Sequence, residues 1–262
     1  MDKKQALYYI NKTLAVIFTA PAIILILWEL LSRLKVISNI YFPAPGSIFL
    51  RFIYLLFQEP KFLSDILFSL KRLALGVIIS VPSAIALGLS IGLNKRIARF
   101  LTPLISITYP IPKLSILPLL MILLGIGDIS KIAIIAIGIF YLVLLNVIHG
   151  IQGLPAVYFY IIKIYRIPFA KRIYSIILKG ILPDILQGCK VGIGYGLIMV
   201  VASEFIAAKN GIGFFMWNAW DQFRIKDMYV GLAVFSLMGL VVFTLFDRLL
   251  SKLKWRDNSR LW

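Results

Sequence analysis

One cysteine and one histidine in 262 residues remove two kinds of chemistry at the outset. A lone Cys189 cannot close an internal disulfide, and a lone His149 cannot build a metal-ligand cluster, so no metal site is expected. Acids are also scarce, 11 against 28 Lys and Arg, for a formal net charge of +17. No paired carboxylates, serine–histidine pair or phosphate-binding loop can be read, which predicts a protein that is not itself an enzyme and holds no cofactor of its own. Long polar stretches are missing as well. With 61% hydrophobic residues, the composition predicts an all-α polytopic membrane protein rather than a soluble core. The basic residues sit between apolar segments, so membrane orientation explains them better than nucleic acid does. The opening MDKKQALYYINK leads into a long apolar run with no small-x-small site, and no cleavable signal is expected.

A helix needs roughly 20 apolar residues to cross the hydrocarbon, and six stretches qualify. They are about Leu14 to Leu31, Ile66 to Leu93, Leu101 to Leu124, Ile129 to Ile148, Val191 to Ala208 and Tyr229 to Leu250. Between the first two, the Pro-Ala-Pro-Gly at Pro43 to Gly46 breaks the chain before a short amphipathic helix. The third stretch carries Pro103, Pro110, Pro112 and Pro118, which predicts kinks or an unwound section. Three blocks follow: an N-terminal span with its outer segment at 1–65, a core at 66–250, and a tail at 251–262. Seventeen basic residues fall on the side of the termini and ten on the other. The bias predicts cytoplasmic termini, although Lys71 and Arg72 lie near the outer end of the second span and do not fit it. The tail segment Lys252 to Arg256 reads as an anchor at the inner surface of the lipid bilayer.

The only long interruption runs from 151 to 190. It holds Lys163, Arg166, Lys171, Arg172, Lys179 and Lys190 against the single acid Asp184. Apolar residues recur at helical spacing through Tyr158, Ile161, Ile162 and Tyr165, then again through Ile173, Ile176 and Ile177. Pro168 separates the two runs. Two short amphipathic helices are expected, offering apolar surface for a second protein to cover.

Small residues recur at every fourth position as Gly76, Ser80, Ala84, Gly88 and Gly92, and again as Gly188, Gly192 and Gly196. Such ridges let helices approach closely in lipid. The glycines at 192 to 196 lack the preceding strand of a nucleotide-binding turn, so packing is the expected role. No inverted repeat is evident, which argues against an ion-driven secondary transporter.

Phe100 to Gly150 resembles the membrane permease subunits of ABC importers in the nitrate/sulfonate/taurine branch. The carrying pieces are Pro103, Pro110-Ile-Pro112, Leu117-Pro118, Gly125-Ile-Gly127 and Gly150. Phe42-Pro-Ala-Pro-Gly46, Ser69-Leu-Lys-Arg-Leu73 with Gly76, Leu182-Pro183, Gly188 and Ala202-Ser-Glu-Phe205 add to it, and the resemblance covers roughly residues 20 to 250. It implies a type I ABC importer permease fold of about six transmembrane helices in the cell inner membrane. It also implies a symmetric homodimer, a separate ABC ATPase subunit that binds the ATP, and an extracytoplasmic substrate-binding protein. The loop at 151–190 would then be the coupling loop, through Tyr158, Tyr160, Ile161, Ile162, Tyr165, Arg166, Ile167, Pro168 and Pro183. The family's Glu-Ala-Ala falls on Tyr160, Ile161 and Ile162, and its glycine on Arg166. Length is kept while those signature residues are replaced.

Lys113, Ser115 and Glu204 are the candidate translocation-path residues. A charge in the middle of a span costs at least about 2.5–3.5 kcal/mol. Lys113 either faces a polar path and favours an anion, or snorkels from a kinked segment, or pairs with an acid, Glu204 being one choice. Glu204 either lines the path or lies within reach of the headgroups. Glu29 beside Arg33, and Asn146 with His149, read as interfacial. The aromatic stretch Asn210 to Trp220 reads as an outer loop. The resemblance makes a sulfonate, taurine or nitrate the expected cargo. An importer of a vitamin or cofactor precursor, and a non-transporting scaffold with an altered coupling loop, remain open.

Overall fold

The structure, a computed structural model, describes residues 19–254. Helix α1 covers 19–33, so the first expected span lies partly outside the described residues, as does the anchor at Lys252 to Arg256. There follow α2 (Pro45–Gln58), α3 (Pro60–Leu93), α4 (Lys95–Thr108), a 3-10 turn (Lys113–Ile116), α5 (Leu117–Leu124) and α6 (Asp128–Gln152). Then come α7 (Ala156–Ile164), α8 (Phe169–Lys171), a π-helical stretch (Arg172–Ile177) and α9 (Leu178–Gly180). Last are α10 (Leu182–Ala207), α11 (Ile212–Asp221) and α12 (Ile225–Lys254). Four of these, α3, α6, α10 and α12, are long and apolar enough to cross a membrane.

The third expected span is broken. Helix α4 and the segment Lys113–Leu124 meet at 91°, as a broken span or a re-entrant loop. Pro110 and Pro112 fall in the connection, where each removes an N–H and restrains the residue before it. Pro118 is tolerated in the first turn of α5, where its missing donor would have had no helical partner. Asn94 separates α3 from α4 and caps the latter, accepting from the backbone N–H of Arg96 at 2.9 Å. The stretch expected as an outer aromatic loop is mostly helical, as α11, with the Trp217 and Trp220 rings tilted against each other, centroids 4.9 Å apart.

Contacts divide the chain into two units. One takes the residues up to Leu63 together with Phe215–Ala233, the other Ser64–Phe214 with the chain from Val234 on. In the first, Ala44 offers no side-chain cap to α2. Glu29 of α1 does that work, accepting from the Gly46 N–H at 2.7 Å and from Arg33 Nε at 2.5 Å. Arg51 of α2 donates to both carboxylate oxygens of the buried Asp227, at 2.7 and 3.1 Å. Asp227 sits in the first turn of α12, where a negative charge also favours the helix dipole.

In the second unit α6 is the centre, with Ile134, Ile135, Ile139, Val143, Leu144 and Val147 fully buried. The small-residue ridges of α3 and α10 both lie against it. A Cβ on Gly88 would come within 2.6 Å of Val147 Cγ1, and one on Gly92 within 2.5 Å of Ile151 Cδ1. On α10, Gly188 meets Asn146 at 2.8 Å, Gly192 meets Ile139 and Val143 at 3.2 Å, and Gly196 meets Ile139 at 2.8 Å. Lys190 of α10 pairs with Asp247 of α12 and lies over the Phe243 ring. Much of α12 stays exposed and apolar, including Leu240, Val241 and Leu245, as a lipid-facing helix should.

Gly88→Ala is expected to destabilise by on the order of 1–3 kcal/mol, because Val147 must move. At Gly239 an added Cβ meets only Leu197, at an ordinary 3.8 Å, so Gly239→Ala should stabilise by about 0.5–1 kcal/mol. Thermal denaturation in detergent should shift in opposite directions, and a shared direction would refute the packing assignment.

Candidate functional site

Three arrangements in the second unit bear on function. The first is the segment between α6 and α10. Its long helices reach further than the sequence suggests, so the connection is 153–181, and Pro183 and Lys190 belong to the first turns of α10. Tyr160 of α7 and Tyr165, the residue that caps its C-terminus, are 64% and 75% exposed, with Ile161 and Ile164 beside them. Ile162 points the other way and is buried, so it packs the loop down rather than offering surface. Tyr158 and Ile167 are half-buried, and Pro168 precedes α8. Arg166 adopts φ 47°, a left-handed conformation that favours glycine. It is the position that the loop alignment gives to the family's glycine.

The second arrangement surrounds Lys113. Its side chain is buried, and Nζ donates to the carbonyls of Thr108 at 2.7 Å and Tyr109 at 3.0 Å. The ammonium also lies 4.1 Å from the Tyr141 ring centroid, a favourable cation–π distance. Among the described residues no carboxylate pairs with it. It lines a cavity of about 430 Å³ with Ser80, Ser83, Thr108, Phe140 and Tyr141. Tyr141 donates to Thr108 Oγ1 at 2.8 Å. Ser115 is exposed, and its hydroxyl donates to the Pro112 carbonyl at 2.7 Å.

The third arrangement holds Glu204, fully buried, and it is not with Lys113. Arg72, 2% exposed, donates through Nη1 to Glu204 at 2.6 Å, and through Nη2 and Nε to Asp128 at 2.7 and 3.0 Å. It also bonds the carbonyl of Asn210 at 2.9 Å and the side-chain oxygen of that residue. Glu204 further accepts from Ser69 Oγ and from the Gly213 N–H, at 2.9 and 2.8 Å. Asp65 takes the Gly211 N–H at 2.7 Å. At Gly211, φ is 110° and an added Cβ would fall onto the Glu204 carboxylate, so only glycine fits. This cluster ties α3, α6, α10 and the turn after α10 together. Of the three path candidates, Lys113 alone lines the cavity described above.

Sequence reading passed over this cluster, although a signal was present. Arg72 stands four residues before Gly76, and Glu204 eight after Gly196, each continuing its helix's packing ridge. A charge on a ridge meant for burial needs a partner on the opposing ridge. Tyr141 and Thr108 carried no comparable signal, because single polar residues in spans are common.

Helices of this length and apolarity, wrapped about a buried central one, define a multi-pass membrane protein. The model of the family described as "Binding-protein-dependent transport system inner membrane component" matches residues 80–255. The chain belongs to that family, in its nitrate/sulfonate/taurine branch, and is an ABC importer permease with the type I fold. It is 29% identical over 240 residues to the "Putative aliphatic sulfonates transport permease protein SsuC" of Bacillus subtilis (strain 168), covering 91% of this chain and 86% of that one. It is 29% identical to the "Taurine transport system permease protein TauC" of Escherichia coli (strain K12), covering 84% and 82%. It is 28% identical to the "Nitrate import permease protein NrtB" of Synechocystis sp. (strain ATCC 27184 / PCC 6803 / Kazusa), covering 85% and 83%.

Removing one member of a buried ion pair strands the other, at about 3–5 kcal/mol. Arg72→Met strands the fully buried Glu204 and should cost that much. Glu204→Gln leaves Arg72 its bonds to Asp128 and should cost less, about 1–3 kcal/mol. The double variant should lose less than the two singles together. Denaturation of purified protein measures all three, and additive losses would contradict the pairing.

Proposed function

We propose that this permease carries a small anionic solute through the inner membrane and is driven by a separate ABC ATPase docked on the segment 153–181. The observation that carries the coupling is the exposed apolar face of α7. Tyr160, Ile161, Ile164 and Tyr165 lie open to solvent on a segment rich in basic residues. Aromatic side chains of this kind supply most of the energy at protein interfaces. The left-handed Arg166 adds support, since it holds a conformation suited to glycine at the position that the loop alignment gives to the family's glycine. With Glu-Ala-Ala absent, recognition would run through apolar burial rather than through an acidic contact.

The anionic cargo rests on Lys113. An ammonium held only by carbonyls and a ring, beside a cavity with hydroxyl groups and no carboxylate, has unspent attraction for an anion. Relatives named for sulfonates, taurine and nitrate are consistent with such a cargo. Two copies of the chain would enclose the path, with a substrate-binding protein delivering solute on the outer side. ATP would bind in the ATPase subunit.

The termini are placed in the cytoplasm on charge. Of the two outer basic residues that do not fit, Arg72 is neutralised by Glu204 and Asp128 and is not a hydrated loop charge, while Lys71 stays exposed and still counts against the bias.

The test is a pull-down of the detergent-purified chain with a co-expressed ABC ATPase subunit, comparing wild type with Tyr160→Asp plus Tyr165→Asp. Each buried aromatic anchor is worth about 2 kcal/mol or more, so affinity should fall by roughly 100-fold or more. Equal binding by both proteins would overturn the docking site.

A further inference from the structure

Arg172 is the one guanidinium at the loop end of the second unit that sits half-buried with nothing to hold. It carries five N–H donors, yet it makes no hydrogen bond or ion pair with any described residue, and its Nε is closed off from solvent. Leaving a buried donor unsatisfied is expensive. Arg172 lines a cavity of about 460 Å³ with Ser90, Asn94, Ile97 and Phe159.

That cavity does not end there. Ala86, Leu89, Phe169 and Ile173 line both it and a second groove of about 540 Å³. The second groove follows α3 towards the membrane interior past Pro82, Ile85 and Val81, walled on the other side by Tyr174 and Leu178. Its lining carries no charge. A chamber whose mostly apolar wall carries Arg172, Ser90 and Asn94 as its polar groups therefore opens into an uncharged groove along a spanning helix. Arg172 is the one charged residue in the chamber's lining, Lys95 and Lys171 neighbour lining residues in the chain, and 156–181 has no acid at all.

We infer that this composite site takes an anionic phospholipid, its phosphate on Arg172 and an acyl chain in the groove along α3. A free phosphate would use the chamber and leave the groove without an occupant. A neutral chain would use the groove and leave the guanidinium unpaired. A phospholipid satisfies both. The site is walled by the π-helical stretch Arg172–Ile177 on one side and α3 on the other, and π-helical turns often mark functional sites. A lipid there joins the coupling segment to the second span, so its presence would stiffen the segment on which the ATPase docks. The inference concerns a face of the segment other than the Tyr160 and Tyr165 surface, and it stands whether or not that surface binds an ATPase.

Delipidated full-length chain, titrated in detergent and read by native mass spectrometry, tests it. Phosphatidylglycerol should bind one copy per chain more tightly than phosphatidylcholine, and sn-glycerol 3-phosphate should not bind. Arg172→Gln should weaken phosphatidylglycerol by about tenfold or more, the value of a charge-assisted hydrogen bond, while Arg172→Lys keeps part of the preference. Ala170→Trp, which fills the groove from an exposed position, should weaken both lipids. Tight binding of the glycerol phosphate alone would show a free-phosphate site. Unchanged affinity in Arg172→Gln, or no phosphatidylglycerol binding by wild type, would equally overturn the inference.

Discussion

Arg72 carries a charge that a guanidinium cannot shed, and almost no solvent reaches it. Three elements must therefore meet it. Helix α10 brings Glu204, the start of α6 brings Asp128, and the turn after α10 brings Asn210. Their partners are fixed in turn: Ser69 and Gly213 hold Glu204, and Gly211 is required because any larger residue would strike the carboxylate. In lipid no hydrophobic effect drives helices together, so a satisfied buried pair and a close glycine contact must do it between them. The glycine ridges set how near α3 and α10 come to α6. The ion cluster sets their register at one end, and Lys190 with Asp247 ties α12 to α10.

The second span, the fourth and the fifth were legible in the sequence because each combines length and apolarity, and the second and fifth carry a small-residue ridge as well. The break of the third span was legible in Pro110 and Pro112, but its 91° angle was not, since proline says where a helix stops and not where the chain goes next. The loop was read too long at both ends. Apolar residues such as Ile151 and Ile185 look alike at the end of a span and at the start of an amphipathic helix, and both are buried continuations of long helices here. Pairing was the hardest feature to see. A charge's partner depends on which helices touch, so the pairing of Lys113 with Glu204 was one of several readings open in sequence, and the two have different company in space.

Separation of these two charges gives the permease its division of labour. The paired charges hold the frame, and they are the ones with no cavity beside them among the described pockets. The unpaired one, Lys113, lines open space. Arg172, also unpaired, lines another. In a membrane an uncompensated cation marks where a counter-charge from outside the chain belongs, and here one lines the cavity beside Tyr141 and the other the cavity beside the 153–181 segment.

The central claim is that the segment 153–181 faces the compartment where an ATPase works while the turn after α10 faces the other. Because the chain has one cysteine, Cys189→Ser gives a clean background for Tyr165→Cys and Lys209→Cys, both at exposed positions. A membrane-impermeant maleimide applied to intact cells should label the cysteine at 209 and spare that at 165, with the pattern reversed in inside-out vesicles. Labelling at 165 from outside the cell would contradict the account.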